Sequence, residues 1–270
     1  INAGTLALDG TGTIAVSSGV ANEGTFTIAA GKTIDSLTGN GATTLGGNLT
    51  IGDGAYSGIA SGGGGLIKAG GGRLTLSGAN DYTGATTINA GAIRLTGSGT
   101  LGDATAGTFV TAVGAALELV GAGSADALTL MGDGISNTGA VRNVSGISAL
   151  TGGISLTGAT RINSGGTLTI SMVGISGATQ DLSVGGAGNT TIRSAIGTTT
   201  GGLTKDGDGT LTLSGTNTYS GATTITAGIN AGTLALDGTG TIAVSSGVAN
   251  EGTFTIAAGK TIDSLTGNGA

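Results

Sequence analysis

Residues 201–228 read GGLTKDGDGTLTLSGTNTYSGATTITAG, and residues 64–91 read GGLIKAGGGRLTLSGANDYTGATTINAG. Aligned without gaps, the two stretches share G-G-L-x-K-x-G-x-G-x-L-T-L-S-G-x-N-x-Y-x-G-A-T-T-I-x-A-G. Each holds two short alternating segments, 74–76 or 211–213 and then 87–88 or 224–225, around a turn of Ser-Gly, Asn and Tyr. Leucine and isoleucine alternate with threonine, so one face of each strand suits a core and the other suits water. Glycine and asparagine mark the corners, where tight turns demand positive φ.

Working outward, the same style fills the rest of the chain. Short strands are expected at 5–8, 13–16, 25–28, 49–51, 109–113, 117–119, 128–130, 154–156, 168–170 and 182–184, with glycine between them. The gaps are too short for crossover helices, which excludes a doubly wound α/β fold. Alanine-rich 115–120 comes nearest to a helix, and its glycine neighbours argue against one. No change of composition marks a domain boundary, so 1–270 reads as one continuous segment.

Composition narrows the class. Of 270 residues 60 are glycine, none is proline, cysteine, histidine or tryptophan, and six are Phe or Tyr. There is no G-X-Y period, which excludes collagen. Charged residues make up only 9%, which argues against disorder. A chain without proline suits continuous backbone ladders. With so little aromatic ballast, a sandwich is less apt than a solenoid, whose thin coils need only small residues. The expected fold is all-β: a right-handed parallel β-helix (β-solenoid) of about 12 coils, forming an elongated rod.

Residues 1–42 recur identically at 229–270, a period of 228, while the two motif copies lie 137 apart. Both offsets are near multiples of roughly 22.8 residues, which is the expected coil length. The 42-residue copy has three readings: one period of a large tandem array, a stitched chain, or a single duplication. The doubled Ile-Thr-Ala-Gly/Ile-Asn-Ala-Gly at 225–232 points toward the second. The chain opens at Ile1 in mid-pattern without a leader, so it reads as part of something longer. Uncapped coil ends are open sheet edges, which predicts association with copies end to end or continuation into more coils.

The two stretches resemble the passenger-associated transport repeat of bacterial autotransporters. Leu66 and Leu203, Lys68 and Lys205, Asn80 and Asn217, Tyr82 and Tyr219, Gly84 and Gly221, and Ile88 and Ile225 fill its pattern. The resemblance implies a right-handed parallel β-helix secreted through the outer membrane by a C-terminal β-barrel, serving as an adhesin or a stalk. That barrel is not in this chain, because six aromatics cannot supply its interfacial girdles. The implied place is extracellular or on the bacterial cell surface, anchored by a region outside this chain. A self-assembling extracellular fibre, a polysaccharide-active enzyme and an ice-binding protein are the other readings.

Chemistry is sparse. Without histidine or cysteine, Ser/His and Cys/His schemes are excluded, and no catalytic, metal or cofactor site is expected. Asp206 and Asp208 are the closest acid pair, but the other copy has Ala69 and Gly71 in their places, so they read as turn residues. Asp-Gly pairs, also present at 53–54 and 133–134, lack the nine-residue period of calcium-binding rolls. The glycine runs 62–65 and 70–72 lack the phosphate-loop pattern and read as turns. Lys68 and Lys205 read as solvated lysines shielding a strand edge. Asn80 and Asn217 read as turn caps, stacking with neighbouring coils in an amide ladder. Tyr82 and Tyr219 read as packing over the turn, with exposure at a contact surface as the alternative. Thr-x-Thr pairs at 11–13, 25–27, 167–169 and 210–212 read as ordinary outward strand residues. The net charge is −6 and the nine Lys and Arg are scattered singly, so neither nucleic acid nor membrane insertion of this segment is expected. A host-cell or glycan surface is the expected external partner.

Overall fold

A computed structural model describes residues 1–226 and 232–270. The strands stack in parallel ladders on three sides of a coiled chain. The first side carries Thr5–Leu8, Thr25–Ile28, Ala42–Leu45 and Ala60–Ser61, and later Ile147–Leu150 through to Thr253–Ile256. Between these sets the side is irregular and is bridged at Asn80, Thr100 and Ser124. The second side runs Leu49, Leu66, Thr86, Thr108, Leu128, Ile154, Ile175, Ile196, one residue per level. The third runs Val20, Leu37, Gly54, Leu74, Ile93, Leu117, Val141, Ile162, Val184, Lys205, Ile225, Asn250. Strand Leu265–Thr266 adds a further level on that side. Thirteen levels at about 4.8 Å make a stack roughly 60 Å long.

The coil length differs from the expected value. From Val20 to Asn250, 230 residues take eleven steps, or about 21 per coil, and single steps range from 17 (Val20 to Leu37) to 25 (Ile225 to Asn250). The 228-residue period is therefore eleven coils, since Val20 and Val248 both lie on the third side. The 137-residue offset is not a whole number of coils. Leu66 lies on the second side, its ladder reaches Ile196 after six coils, and Leu203 lies on the third side. The two motif copies are thus turned by one side of the rod. A single coil length cannot be extracted from two offsets when corners of different lengths separate the strands.

Most expected strands are present, and the alanine-rich 115–120 forms no helix, since Ala116–Val120 is a strand that contains the expected 117–119. Segment 13–16 is not. The Thr13 hydroxyl accepts from the Ala15 N–H at 3.1 Å and Ser17 N–H donates to Ile14 O at 2.8 Å, so local bonding competes with the ladder and throws Val16 fully into solvent. The second copy does the same at Thr241 and Ala243. The Thr-x-Thr pairs do align in part: Thr169, Thr191 and Thr212 are register partners on the first side.

Inward residues of the three sides form one aliphatic column, with Leu74, Ile93, Leu117 and Val141 on successive levels all excluded from water. The strand alternation accounts for it, because every second residue points inward. Glycine serves the corners for a steric reason. A Cβ on Gly58 would sit 2.1 Å from Gly41 O, and one on Gly78 would sit 1.9 Å from Gly58 O, so successive coils touch backbone to backbone. Gly78→Ala is expected to destabilise the chain by about 1–3 kcal/mol through forced separation of two coils. Gly71→Ala, where a Cβ would meet nothing, should stay within about 0.5 kcal/mol. Urea midpoints of the two variants test the difference.

Candidate functional site

The two motif copies fold alike, and their distinguishing feature is a buried lysine. Strands Leu66–Lys68 and Leu203–Lys205 end at Lys68 and Lys205, which are 0% and 2% exposed. The solvated-lysine reading is overturned. Lys68 Nζ donates to Ala69 O at 2.7 Å, Gly70 O at 2.8 Å and Ala90 O one coil on at 3.2 Å. Lys205 Nζ donates to Asp206 O at 2.5 Å and Gly207 O at 2.6 Å. The side chain folds its apolar stem under the corner, and the ammonium satisfies turn carbonyls that the ladder cannot reach. Burial lowers both lysine pKa values, and nearby Asp53 or Asp206 partly opposes the shift.

Glycine closes each corner over its lysine. A Cβ on Gly91 (φ 61°) would lie 2.1 Å from Gly72 O, and one on Gly232 (φ 59°) would lie 2.2 Å from Gly207 O and 2.6 Å from Lys205 Nζ. Gly232 therefore fills the place of Gly91 in the second corner. Most of the doubled segment at 225–232, with the end of the second motif copy, lies outside the described residues.

Asn80 and Asn217 clamp three coils each. Asn80 Oδ1 accepts from Ala60 N–H on the coil before (2.9 Å), while its Nδ2 donates to Gly78 O (3.1 Å) and to Thr100 O on the coil after (2.9 Å). Asn217 repeats this with Ile196 N–H, Gly215 O and Thr241 O. The partners are backbone groups, so the expected amide ladder gives way to a single amide spanning two junctions. Asn80→Ala is expected to cost about 2–3 kcal/mol by stranding buried backbone groups. Exposed Asp81→Ala should be silent, and paired thermal melts would show it.

Tyr82 and Tyr219 are both fully buried, with their hydroxyls 2.6 and 2.8 Å from Thr86 and Thr223 Oγ1. Exposure at a contact surface is ruled out. Tyr56, outside the motif, behaves alike: its hydroxyl donates to Gly41 O at 2.6 Å and approaches Thr43 Oγ1 at 2.8 Å. Burial pushes all three phenols up from their usual pKa.

The acid pair lies in the turn between Leu203–Lys205 and Thr210–Leu213, not along a strand. Both Asp206 oxygens accept from Arg161, each at 2.6 Å, so this carboxylate is committed to a bidentate ion pair. Asp208, Asn163 and Thr226 complete a shallow groove of about 490 Å³ beside it. Among the described residues no three acidic side chains converge as a metal site would require.

Sequence reading missed a second cluster. Glu118, 1% exposed, receives Arg73 Nε at 2.8 Å and Arg94 Nε at 2.8 Å, with Arg142 Nη1 at 3.7 Å. These residues are 21, 24 and 24 apart along the chain, one coil each. Basic residues scattered singly in sequence are therefore gathered on one side of the rod. Their spacing, 23 residues on average and so close to one coil, was the signal that would have found them.

A parallel β-solenoid with lysine-capped, glycine-closed corners defines the structural class. The family model of the passenger-associated-transport-repeat matches residues 66–95 and 203–229, which contain both capping lysines, Lys68 and Lys205. The chain is also similar to the adhesin BmaC autotransporter of Brucella suis biovar 1 (strain 1330), 33% identical over 166 residues. That match covers 60% of this chain and 4% of the relative's length. No solved structure matches. The two repeat matches and this similarity support an autotransporter passenger segment, of a cell-surface or secreted class. No helix among the described residues is long and apolar enough to cross a membrane.

Proposed function

We propose that this segment is a non-enzymatic adhesive stalk, held at the outer membrane by a barrel elsewhere in its protein and presenting its sides to host-cell or glycan surfaces. The observation that carries the reading is the repeated corner: its lysine, asparagine and tyrosine are all spent inside the stack, binding coil to coil. A device whose polar residues satisfy its own backbone extends and stiffens a rod, and turning the motif by one side between copies leaves that task unchanged. The named adhesin among its relatives supports the same reading. The acid pair supports no hydrolytic role, because Asp206 is occupied by Arg161.

The test is display. Fused to an outer-membrane export barrel on a non-adherent bacterium, the chain should become accessible to antibody on intact cells and increase attachment to glycan-coated surfaces. Display without any gain in attachment would leave a spacer and refute the adhesive part.

A further inference from the structure

We infer that the arginine cluster around Glu118 is a binding site for anionic groups, sulfate or carboxylate, carried on a surface glycan. The residues lie on the third side of the rod, where Arg94, Glu118 and Arg142 occupy one outward column on three successive levels. Arg73 reaches Glu118 from one level further back. One buried carboxylate facing three guanidiniums leaves a surplus of two positive charges, in a chain whose formal net charge is −6. Asp53 at the neighbouring corner, and Asp133 and Asp206 beside Arg161, bound the patch at its two ends.

The arrangement is preorganised for an incoming anion. Glu118 fixes Arg73 through two nitrogens at 2.8 and 3.3 Å and fixes Arg94 through Nε at 2.8 Å. Arg142 makes an ion pair at 3.7 Å without a hydrogen bond, and its side chain is 36% exposed. Each guanidinium carries five N–H donors, so most donors of the cluster point away from Glu118. Planar forks held at fixed spacing suit bidentate oxyanion recognition. No aromatic side chain stands in these columns to stack a base, and the alanines in the Arg73 column, Ala92 and Ala116, are buried and cannot enter a bilayer, which favours a glycan over nucleic acid or lipid. The inference deepens the adhesive reading, but it stands on a separate observation.

The whole chain is titrated with dextran sulfate and, separately, with neutral dextran and free sulfate at low salt. The expected result is saturable binding to dextran sulfate that weakens as salt rises, little binding to neutral dextran, and weak competition by free sulfate. Arg142→Gln, which removes no hydrogen bond and should leave the fold intact by circular dichroism, is expected to weaken binding several-fold. Arg94→Gln with Arg142→Gln should abolish it. Equal binding to neutral dextran, unchanged binding in the Arg142 variant, or equal affinity for duplex DNA would each overturn the assignment. If dextran sulfate does not bind while displayed chains still confer attachment, the patch fails and the adhesive reading stands.

Discussion

Replacing Lys68 by methionine is expected to lower the stability of the chain by about 3 kcal/mol, although the substitution swaps a charge for an apolar side chain of similar length. Three carbonyls, of Ala69, Gly70 and Ala90, lose their donor. The acceptors are part-buried, so each costs toward the lower end of about 1–3 kcal/mol when stranded, and relief of the ammonium's own desolvation offsets part of the sum. Lys68→Arg should also be costly, because a planar fork does not fit a corner shaped for a compact ammonium. Lys32→Met is the control: its Nζ donates to Gly10 O in an exposed setting, and its removal should stay within about 0.5 kcal/mol. Since each coil contacts mainly its neighbours, the loss should be local. Hydrogen exchange should rise on the coils around 49–95 before the rest of the rod opens, and uniform exchange across the chain would contradict the local account.

The second large effect is alkaline. Tyr56, Tyr82 and Tyr219 are neutral phenols in the fold, with pKa raised above the usual 10.0 chiefly by burial. In the unfolded chain they ionise near pH 10. A raised folded pKa gives stability that is complete below the unfolded value and is lost as pH rises beyond it. Each fully protected phenol then costs about 1.4 kcal/mol per pH unit above 10. The buried lysines act in the opposite direction, because their lowered pKa favours folding as pH rises toward the usual 10.5; that contribution stops growing there, while the tyrosine loss continues. The stack should therefore hold near pH 9–10 and unfold steeply by about pH 12. Tyr219→Phe removes one titrating group: it should cost about 1 kcal/mol at pH 7 through the lost bond to Thr223, yet flatten the alkaline slope. An alkaline slope unchanged in this variant would show that Tyr219 is not the neutral buried phenol described.

The parallel ladders were legible because period-2 alternation and glycine corners dictate them locally, as at 74–76 and 168–170. Segment 13–16 misled because it alternates well, yet Thr13 closes a local turn. Lys68 misled for a different reason. Lysine at a strand end is ordinarily a solvated guard, and only the next coil, supplying Ala90 O, turns the position into a closed corner. Asn80 was recognisable as a cap, but its partners on coils 20 residues away were not. The Glu118 cluster stayed hidden because coil lengths vary along the rod, and its spacings of 21, 24 and 24 residues show as one coil each only once the strands are paired. In a solenoid, what a residue touches is set one coil away, so an error of two residues in the period moves every long-range pairing.

The most direct test of the account is amine acetylation of the native chain, read site by site by mass spectrometry. The chain has four lysines: 32, 68, 205 and 260. The structure predicts prompt modification of Lys32 and Lys260, whose ammonium groups bond only at exposed positions, and protection of Lys68 and Lys205 until urea unfolds the coils. Equal labelling of all four in the folded protein would contradict the lysine-capped corner, and with it the account of what binds one coil to the next.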